Sequence, residues 1–479
     1  MTIFRSDRVR IAFLGVGQPR SGRMRRAVAW AMGLLVATVA CANTDPLSDL
    51  LTIPGSAGLG AMTRIERSPY VGGGTRYDLL PLYLYEGNRL FLHASRGGLK
   101  VFKNETQLVE VFLDRRFDGF PADRTPPSLA GMATREPSVD AGVSWRYRQP
   151  WGTVQSELLH DVEGASNGTE LRLAYSFDWR SGRLALRPSV TLSARDAKLN
   201  DYYYGVEPSE AMPGRPAYAP GAGIDTSLAL YGSYDLSERW RLLGGVSVTR
   251  LSRGVRASPI VQKGVYPAVF IGAAYDFGSR EKAWDGAPSP TYVKLLHGPA
   301  ADDACTLVRI VSLRCIKAAS VNPTSVTGIQ IGKPFIEKLN GWPLDFVGYV
   351  GLLRHNDNGL QSSGLQVDAF MKAYYYGFPW SAHVRTRLGF GAGISVAQYV
   401  PYAEATSLTE RGRNTSRVLN YLDPTIDVSL GDLIGSRALK DTYLGFGVSH
   451  RSGIFGSSSL LGNVNGGSNY LYTYLEMIL

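Results

Sequence analysis

Alternation of apolar and polar residues is the dominant pattern of this chain. In Glu170–Arg180 the odd positions are apolar or aromatic and the even positions are mostly charged or hydroxylic. An extended backbone with this period presents one apolar and one polar face, which predicts a β-strand. The same pattern recurs in Ala141–Tyr147, Arg183–Arg195, Trp240–Val248, Val384–Val396 and Leu422–Leu430.

The length of these segments distinguishes two all-β folds. Many reach ten or more residues, which a tilted strand needs to cross a bilayer, whereas the strands of a soluble sandwich are shorter and their turns recur regularly. After residue 42 no run of 18 apolar residues remains, so a helical membrane protein is excluded. We expect an all-β transmembrane antiparallel β-barrel, because a closed sheet satisfies every backbone group in lipid. A soluble secreted sandwich is the alternative.

Residues 1–42 have the pattern of a leader and signal peptide. Two arginines after Met24 precede an apolar run of 14 residues and an Ala-Cys-Ala site that ends at Ala42. Residues 1–23 show no periodicity, so we expect translation to begin at Met24 and cleavage to follow Ala42. Lipid attachment through Cys41 is an alternative. Export together with spanning strands predicts the outer membrane of a Gram-negative cell.

The positive charge is concentrated in this leader. The chain has 51 basic and 41 acidic residues, and residues 1–42 hold seven arginines and one aspartate. The remaining surplus of four positive charges forms no basic stripe, which argues against nucleic acid as a partner. The three cysteines form no zinc pattern, so no metal or cofactor is expected. Cys305 and Cys315 lie ten residues apart in an exported segment and can close a disulfide.

Two strands of terminal character indicate two modules. Pro267–Phe277 carries apolar residues at alternate positions and ends in an aromatic residue, as a final barrel strand does. Residues 278–300 are rich in Gly, Pro, Ala and charge and are interpreted as a linker. About eight further segments end at Leu479. We therefore expect a first barrel at 43–277 and a second at 301–479; one wide barrel built from both halves is the alternative.

Four stretches resemble a known family: Ser68–Gly74 followed by Leu80-Pro81, Tyr202–Val206, Ser237–Trp240 and Ser258–Ile260. In this order, over roughly residues 55–277, they resemble the MipA/OmpV family of outer-membrane proteins. The resemblance implies a barrel scaffold without catalytic residues. Its best-known member implies contacts with a murein-degrading transglycosylase and a murein synthase, and other members imply adhesion or envelope stress.

Two features within these motifs favour structural roles. The glycines at 72–74 lack the Gly-Lys-Ser/Thr of a phosphate loop, so they predict a turn. The tyrosine clusters at 202–204 and 374–376 favour an aromatic girdle at the membrane surface over a binding platform.

Candidate chemistry lies near the C-terminus. His450 and Ser452 share alternate positions with apolar residues of Tyr443–Ser452, so both are expected on the lipid-facing side, where polar groups are costly. With both termini periplasmic, this strand rises to the outer surface, and Asn469 begins the next strand at the same level. The three side chains are expected to converge as nucleophile, base and orienting group. A hydrogen-bonded His–Ser pair above the membrane boundary is the non-catalytic alternative.

This region resembles the end of PagL-type lipid A 3-O-deacylases, over roughly residues 319–479, in His450–Gly453 and the Asn-Gly-Gly-Ser-Asn that ends at Asn469. The resemblance implies an eight-stranded barrel that hydrolyses an ester of lipopolysaccharide, with Ser452 and His450 in its motif. Two positions depart from that family, because Gly453 stands where it has an asparagine and Asn469 roughly where it has an acid. Glu476 is no substitute, since its parity is inward and it lies about seven residues further along the strand.

Two functions of different classes follow. The first is a non-enzymatic envelope scaffold that contacts murein-synthesising and murein-degrading enzymes. The second is a lipid A ester hydrolase in the C-terminal module, with lipopolysaccharide as the partner. A pore or an adhesin is the third alternative.

Overall fold

The computed structural model describes residues 57–262, 264–277, 289–321 and 323–479. The signal peptide and cleavage site expected in residues 1–42 lie outside the described residues. Among the described residues, every helix is too short or too polar to span a bilayer.

The first half of the described chain forms one sheet of thirteen strands. Their bounds are β1 Ala57–Arg67, β2 Thr75–Glu86, β3 Leu90–His93, β4 Arg96–Lys103, β5 Gln107–Arg115, β6 Val139–Gln149, β7 Gly152–Asp161, β8 Thr169–Ser176, β9 Trp179–Ser181, β10 Leu184–Arg195, β11 Gly223–Asp235, β12 Trp240–Arg250 and β13 Val265–Asp276. Neighbours pair antiparallel, and β13 closes the ring by pairing with β1. The short β9 continues the line of β8 along β10, so twelve strands form the closed wall.

The second half forms a closed barrel of eight strands. Their bounds are β14 Tyr292–Pro299, β15 Ser325–Ile336, β16 Leu344–Asn356, β17 Leu365–Tyr375, β18 Thr386–Ala397, β19 Val418–Ser429, β20 Thr442–Ser452 and β21 Gly467–Ile478. This ring closes between β14 and β21. Two separate closed rings confirm the all-β fold and the tandem barrels, and exclude the single wide barrel.

Short helices occupy the connections. The α-helices are α1 Ala197–Tyr204, α2 Arg253–Arg256, α3 Leu307–Val311, α4 Tyr402–Glu410 and α5 Leu430–Ile434. The 3₁₀ turns are Ala122–Arg124, Pro127–Leu129, Pro208–Glu210, Leu339–Gly341, Arg437–Leu439, Ile454–Gly456 and Ser459–Leu461.

The long loops of each barrel lie at the end opposite its first and last residues. In the first barrel they include residues 116–138 and 196–222, whereas the turns at 150–151 and 236–239 lie beside the termini. In the second barrel the longest loops are 300–324 and 398–417. Outer-membrane barrels keep termini and short turns on the periplasmic side, so we call the two ends the inner and the outer end.

The prediction of a linker over residues 278–300 is wrong for the last part of that range. Residues Tyr292–Pro299 form β14, which pairs with both β15 and β21 and is needed to close the second ring. Tyr292, Lys294 and Leu296 alternate on the inward face, but the strand is short. The glycines and prolines next to it favoured a linker over a strand in the sequence.

The two faces of the strands follow the predicted alternation. Leu171 and Leu173 on β8 are exposed on the outside, while Arg172 between them is buried in the lumen. Arg172 pairs there with Glu170, with 2.8 Å between Nε and Oε1. The lumen of the second barrel is likewise filled by charged and tyrosine side chains, as expected for eight strands.

The two barrels contact each other along one side. Tyr83 on β2 donates a hydrogen bond to the side-chain oxygen of Asn420 on β19. Aromatic rings extend the contact towards the inner end, where Phe277 lies 4.6 Å from Phe346 between ring centroids. Tyr83 and Asn420 are therefore covered by protein, whereas Tyr77 on β2 and Ile426 on β19 stay exposed on the same outward faces.

Candidate functional site

Three of the four family-like stretches meet in a cap at the outer end of the first barrel. The Tyr70 hydroxyl donates to the carbonyl oxygen of Tyr203 at 3.1 Å, and the Ser258 hydroxyl donates to that of Tyr204 at 2.6 Å. The rings of Tyr70 and Tyr204 stack with 5.6 Å between centroids. Residues far apart in the chain thus build one apolar cluster over the lumen.

The glycine run confirms the predicted turn. Gly72 and Gly74 have φ angles of 71° and 62°, a region that other residues rarely adopt. A side chain on Gly73 would overlap the Ser68 hydroxyl, so the close approach also requires glycine.

The expected aromatic girdle is built mostly from other residues, although Tyr375 is half-buried at the inner end of β17. Tyr203 and Tyr204 are buried in the cap, and Tyr374 lies in the lumen of the second barrel with its hydroxyl 3.2 Å from Glu476 Oε2. Exposed or half-buried rings instead surround the inner end of the first barrel and include Trp145, Tyr147, Trp151, Tyr175, Trp240 and Tyr275. The number of tyrosines in a segment does not tell a membrane girdle from a buried cluster. Here the helix α1 directs Tyr203 and Tyr204 into the cap.

The structure brings His450 and Asn469 together on the outer wall of the second barrel. The two residues are direct cross-strand partners on β20 and β21. The imidazole Nδ1 lies 2.7 Å from the Asn469 Oδ1 atom. The Asn469 amide donates from Nδ2 to the carbonyl oxygen of Cys305 at 3.2 Å. Because that bond fixes the amide, Oδ1 accepts from Nδ1–H, and Nε2 is the unprotonated nitrogen that a general base needs.

Ser452 lies on the same outward face, two residues after His450. It is half-buried and is paired across the sheet with Asn420 and Gly467. Among the described residues, no hydrogen bond joins its hydroxyl to His450. Candidate nucleophile and base are therefore neighbours without direct contact, and a substrate or a rotamer change has to complete the arrangement.

The face expected to meet lipid is partly covered by the loop 300–324. Cys305 and Cys315 are bonded, which confirms the predicted disulfide. The closed loop packs Cys305 and Ile310 on Val448 and Leu471, which are 3% and 7% exposed. The expectation of an open lipid-facing wall is thus wrong just below His450, because loop contacts that are distant in sequence cover this part of the strand.

The structure explains why position 453 is a glycine. An added side chain there would overlap the carbonyl oxygen of Val464 in the loop between β20 and β21. An asparagine at this position is therefore incompatible with the observed loop, and any oxyanion donor has to be a backbone N–H.

Glu476 lies in the lumen, as its parity predicted. Arg387 Nη2 lies 2.7 Å from Oε1, and Lys294 Nζ lies 3.5 Å from Oε2. A carboxylate committed to these cations cannot orient His450 on the opposite face of the wall.

Arg451 is a positioning residue that the motif-based reasoning missed. It lies between His450 and Ser452 but points inward, where its Nε is 2.9 Å from Glu404 Oε2 on α4 and its Nη1 is 2.7 Å from the Ser395 hydroxyl. These contacts hold the outer end of β20. In the sequence, the only indication of this role is that Arg451 alternates with outward residues and so points inward. Its partner Glu404 on α4 is identified only by the fold.

Comparison with known proteins assigns the first barrel. The family model described as MltA-interacting protein MipA matches residues 58–277. The chain is 27% identical to YiaT of Escherichia coli O157:H7 over 223 residues, which are 46% of this chain and 90% of YiaT. It is 26% identical to the MltA-interacting protein of Escherichia coli K12 over 249 residues, 52% of this chain and 97% of that protein.

A third relative extends the same picture. The outer membrane protein OmpV of Vibrio cholerae serotype O1 is 27% identical over 202 residues, 42% of this chain and 79% of OmpV. The matched region ends one residue after β13, and YiaT and OmpV are named as outer-membrane proteins. The first barrel therefore matches the MipA/OmpV family of outer-membrane proteins, and this family resemblance covers residues 58–277.

Proposed function

We propose that the first barrel is an outer-membrane scaffold that docks a murein-processing enzyme at its inner end. The main support for this proposal is the position of the family-like stretch Ser237–Trp240, which forms the periplasmic turn between β11 and β12. This turn lines a cavity of about 260 Å³. The cavity is walled by charges of both signs, among them Arg183 and Glu238.

A charged rim of this kind suits a soluble protein partner. Charged groups on a rim guide encounter and set orientation more than they add affinity. The relative named MltA-interacting protein supports a lytic transglycosylase as the partner. The cap at the other end faces away from the periplasm and is not part of this contact.

The test is capture of a purified MltA-type transglycosylase by the full chain in detergent. Arg183→Glu combined with Glu238→Lys should weaken capture at least tenfold, because it inverts the charges of the rim. Lys317→Glu, at an exposed position of the outer loop, is the matched control and should bind like the wild type. Equal capture by all three proteins, or no capture by the wild type, overturns the proposal.

A second candidate function is hydrolysis of an ester of lipid A at His450 and Ser452. It is favoured by the His450–Asn469 hydrogen bond, which leaves Nε2 unprotonated in a residue on the outward face at the outer end. In this chemistry the Ser452 hydroxyl attacks the ester carbonyl while His450 accepts its proton at Nε2. The proton then passes to the departing alkoxide, and water releases the acyl group from the serine.

Mass spectrometry of lipid A from cells with and without the protein tests this activity. Ser452→Ala and His450→Ala should each abolish release of an ester-linked acyl chain. Ser449→Ala removes a hydroxyl on the inward face of the same strand and should retain release. Unchanged lipid A in cells that express the wild type would exclude the hydrolase.

A further inference from the structure

The wall of the first barrel has a gap beside the outer half of β2. On one side β2 pairs with β1 from Thr75 to Tyr85. On the other side it pairs with β3 only across Leu84–Glu86, and a bond from Ala94 N to Tyr83 O extends this contact by one residue. Among the described residues of the first barrel, no strand pairs with residues 75–82 on this side. The gap lies at the level of the outer leaflet.

A loop of the second barrel occupies the gap. The backbone N–H of Leu79 donates to the carbonyl oxygen of Ser457 at 3.0 Å. Arg124, across the gap from β2, donates to Asp78 Oδ1 at 2.6 Å and to Asn463 Oδ1 at 2.8 Å. The loop residues 453–466 thus stand in place of the missing strand, but without a ladder of backbone bonds.

Aliphatic side chains of the loop pack beside the gap on the first barrel and also on Leu408 and Leu419 of the second. Leu460, Leu461 and Val464 are buried in one cluster with residues of β2 that point inward. The members of the first barrel in this cluster are Met62, Leu80, Leu82, Leu84, Ala94, Tyr231, Leu243, Ala268, Phe270 and Ala274. Most lie on the five adjacent strands β11, β12, β13, β1 and β2.

The rest of the lumen is strongly polar. From β4 to β10 the buried inward residues include Arg96, Glu110, Asp114, Asp140, Glu157, Glu170, Arg172 and Arg195. The lumen therefore has an apolar sector beside the gap and an ion-paired sector opposite it. Such a division suits an amphipathic molecule that enters from the side.

We propose that residues 453–466 are a lateral gate, and that the apolar sector behind it binds an acyl chain of an outer-leaflet lipid. In the closed state, Leu460, Leu461 and Val464 pack on the apolar sector. Their side chains are aliphatic, as an acyl chain is. At the rim, displacement of the loop releases the Arg124 donor bonded to Asn463, and a phosphorylated headgroup accepts from it. The site requires neither the murein partner nor the candidate hydrolase.

The backbone of the gate is strained near its beginning, at Ile454. Ile454 and Asn463 adopt φ angles of 50° and 51°, and a β-branched residue in this region is a marked outlier. The packing of the loop in the gap has to offset the cost of this conformation. A competing acyl chain releases that strain when it displaces the loop.

The experiment uses the full chain in vesicles that contain a phospholipid with a photoactivatable diazirine in its acyl chain. Leu79→Cys with Ser457→Cys closes the gate by a disulfide, in a Cys305→Ser/Cys315→Ser background that leaves no other bridge. Cross-linked peptides are mapped by mass spectrometry. Labelling of Leu80–Leu84 should rise at least fivefold when the lock is reduced, while labelling of the exposed Leu230 stays constant.

A second variant opens the gate directly. Leu460→Ser with Leu461→Ser weakens the plug and should increase labelling of the same lumen segment without reduction. Should this variant fail to fold, the oxidised and reduced forms of the locked protein still decide the question. Equal lumen labelling in the locked and reduced forms, or none in either, overturns the proposal.

Discussion

The imidazole of His450 and the amide of Asn469 face each other across two neighbouring strands, with 2.7 Å between Nδ1 and Oδ1. The other end of the amide is held by the Cys305 carbonyl oxygen. One hydrogen bond sets the tautomer of the imidazole, and the next sets the orientation of the amide. The outer loop is therefore part of the geometry at this wall.

Replacement of Asn469 tests its orienting role in the proposed hydrolase. Asn469→Ala should lower acyl release at least tenfold but less than Ser452→Ala, because the base survives without its orienting partner. Asn469→Asp keeps an acceptor for Nδ1 and adds a charge that stabilises the imidazolium, so it should retain more activity than the alanine variant. Acyl release measured on purified lipid A provides the comparison, and equal rates for the wild type and Asn469→Ala would contradict the role.

Gly453→Asn restores the residue found in the deacylase family but should not restore activity. The new side chain meets the Val464 carbonyl oxygen, so the loop has to move. We expect a lower melting temperature and weaker closure of the gap beside β2. Heat-modifiable migration on gels measures the first effect, with Gly435→Asn, at an open left-handed position, as the control. A melting temperature equal to that of the wild type would show that the loop adapts freely.

Removal of the disulfide should uncover His450. Cys305→Ser/Cys315→Ser loses about 2–3 kcal/mol of loop stabilisation in the entropic picture and loosens the packing on Val448. The imidazole should then react faster with diethylpyrocarbonate. His160, exposed on the first barrel, is the internal reference. An unchanged ratio of the two modification rates would show that the loop stays in place without its bridge.

The cap of the first barrel should weaken in acid. Burial raises the pKa of Glu210, but hydrogen bonds from Arg135 and from the backbone N–H groups of Glu207 and Ala133 outweigh it, so the pKa lies below its ordinary value. The resulting stability is present above the ordinary carboxyl pKa and is lost as the pH falls through the lowered one.

Protease cleavage of the outer loops as a function of pH measures this effect. Wild-type cleavage should rise in acid, whereas Glu210→Gln should be cleaved faster already at neutral pH and with little further change. Glu238→Gln, on the inner rim, controls for general charge effects. A wild-type cleavage rate that does not change with pH contradicts the role of Glu210.

The contact between the barrels should show energetic coupling. Tyr83→Phe and Asn420→Ala each remove one side of the same hydrogen bond. The double variant should be less destabilised than the two single effects together, with a coupling of about 1 kcal/mol. Equilibrium unfolding in urea supplies the four stabilities, and Tyr77→Phe, at an exposed position on the same face of β2, is the control. Additive effects would mean that the bond contributes nothing in the membrane.

Alternation by itself determined the fold class, because a spanning strand needs lipid-compatible residues at every second position whatever its neighbours are. The same periodicity assigned Leu171 to the outside, Glu476 to the lumen and His450 with Asn469 to one outward face. Local geometry also determined the turn at Gly72–Gly74, since only glycine adopts its backbone angles easily. Family-like stretches identified the first barrel from residues alone.

Only the tertiary structure decided which outward positions meet lipid and which meet protein. Val448 and Asn420 have the parity of lipid-facing residues, yet a disulfide-closed loop covers one and the neighbouring barrel contacts the other. Likewise, no pattern around Leu79 shows that its edge is filled by Ser457, 378 positions further along the chain. Periodicity reports the face of a strand, but contacts between distant segments depend on the closure of both rings and on how their walls pack.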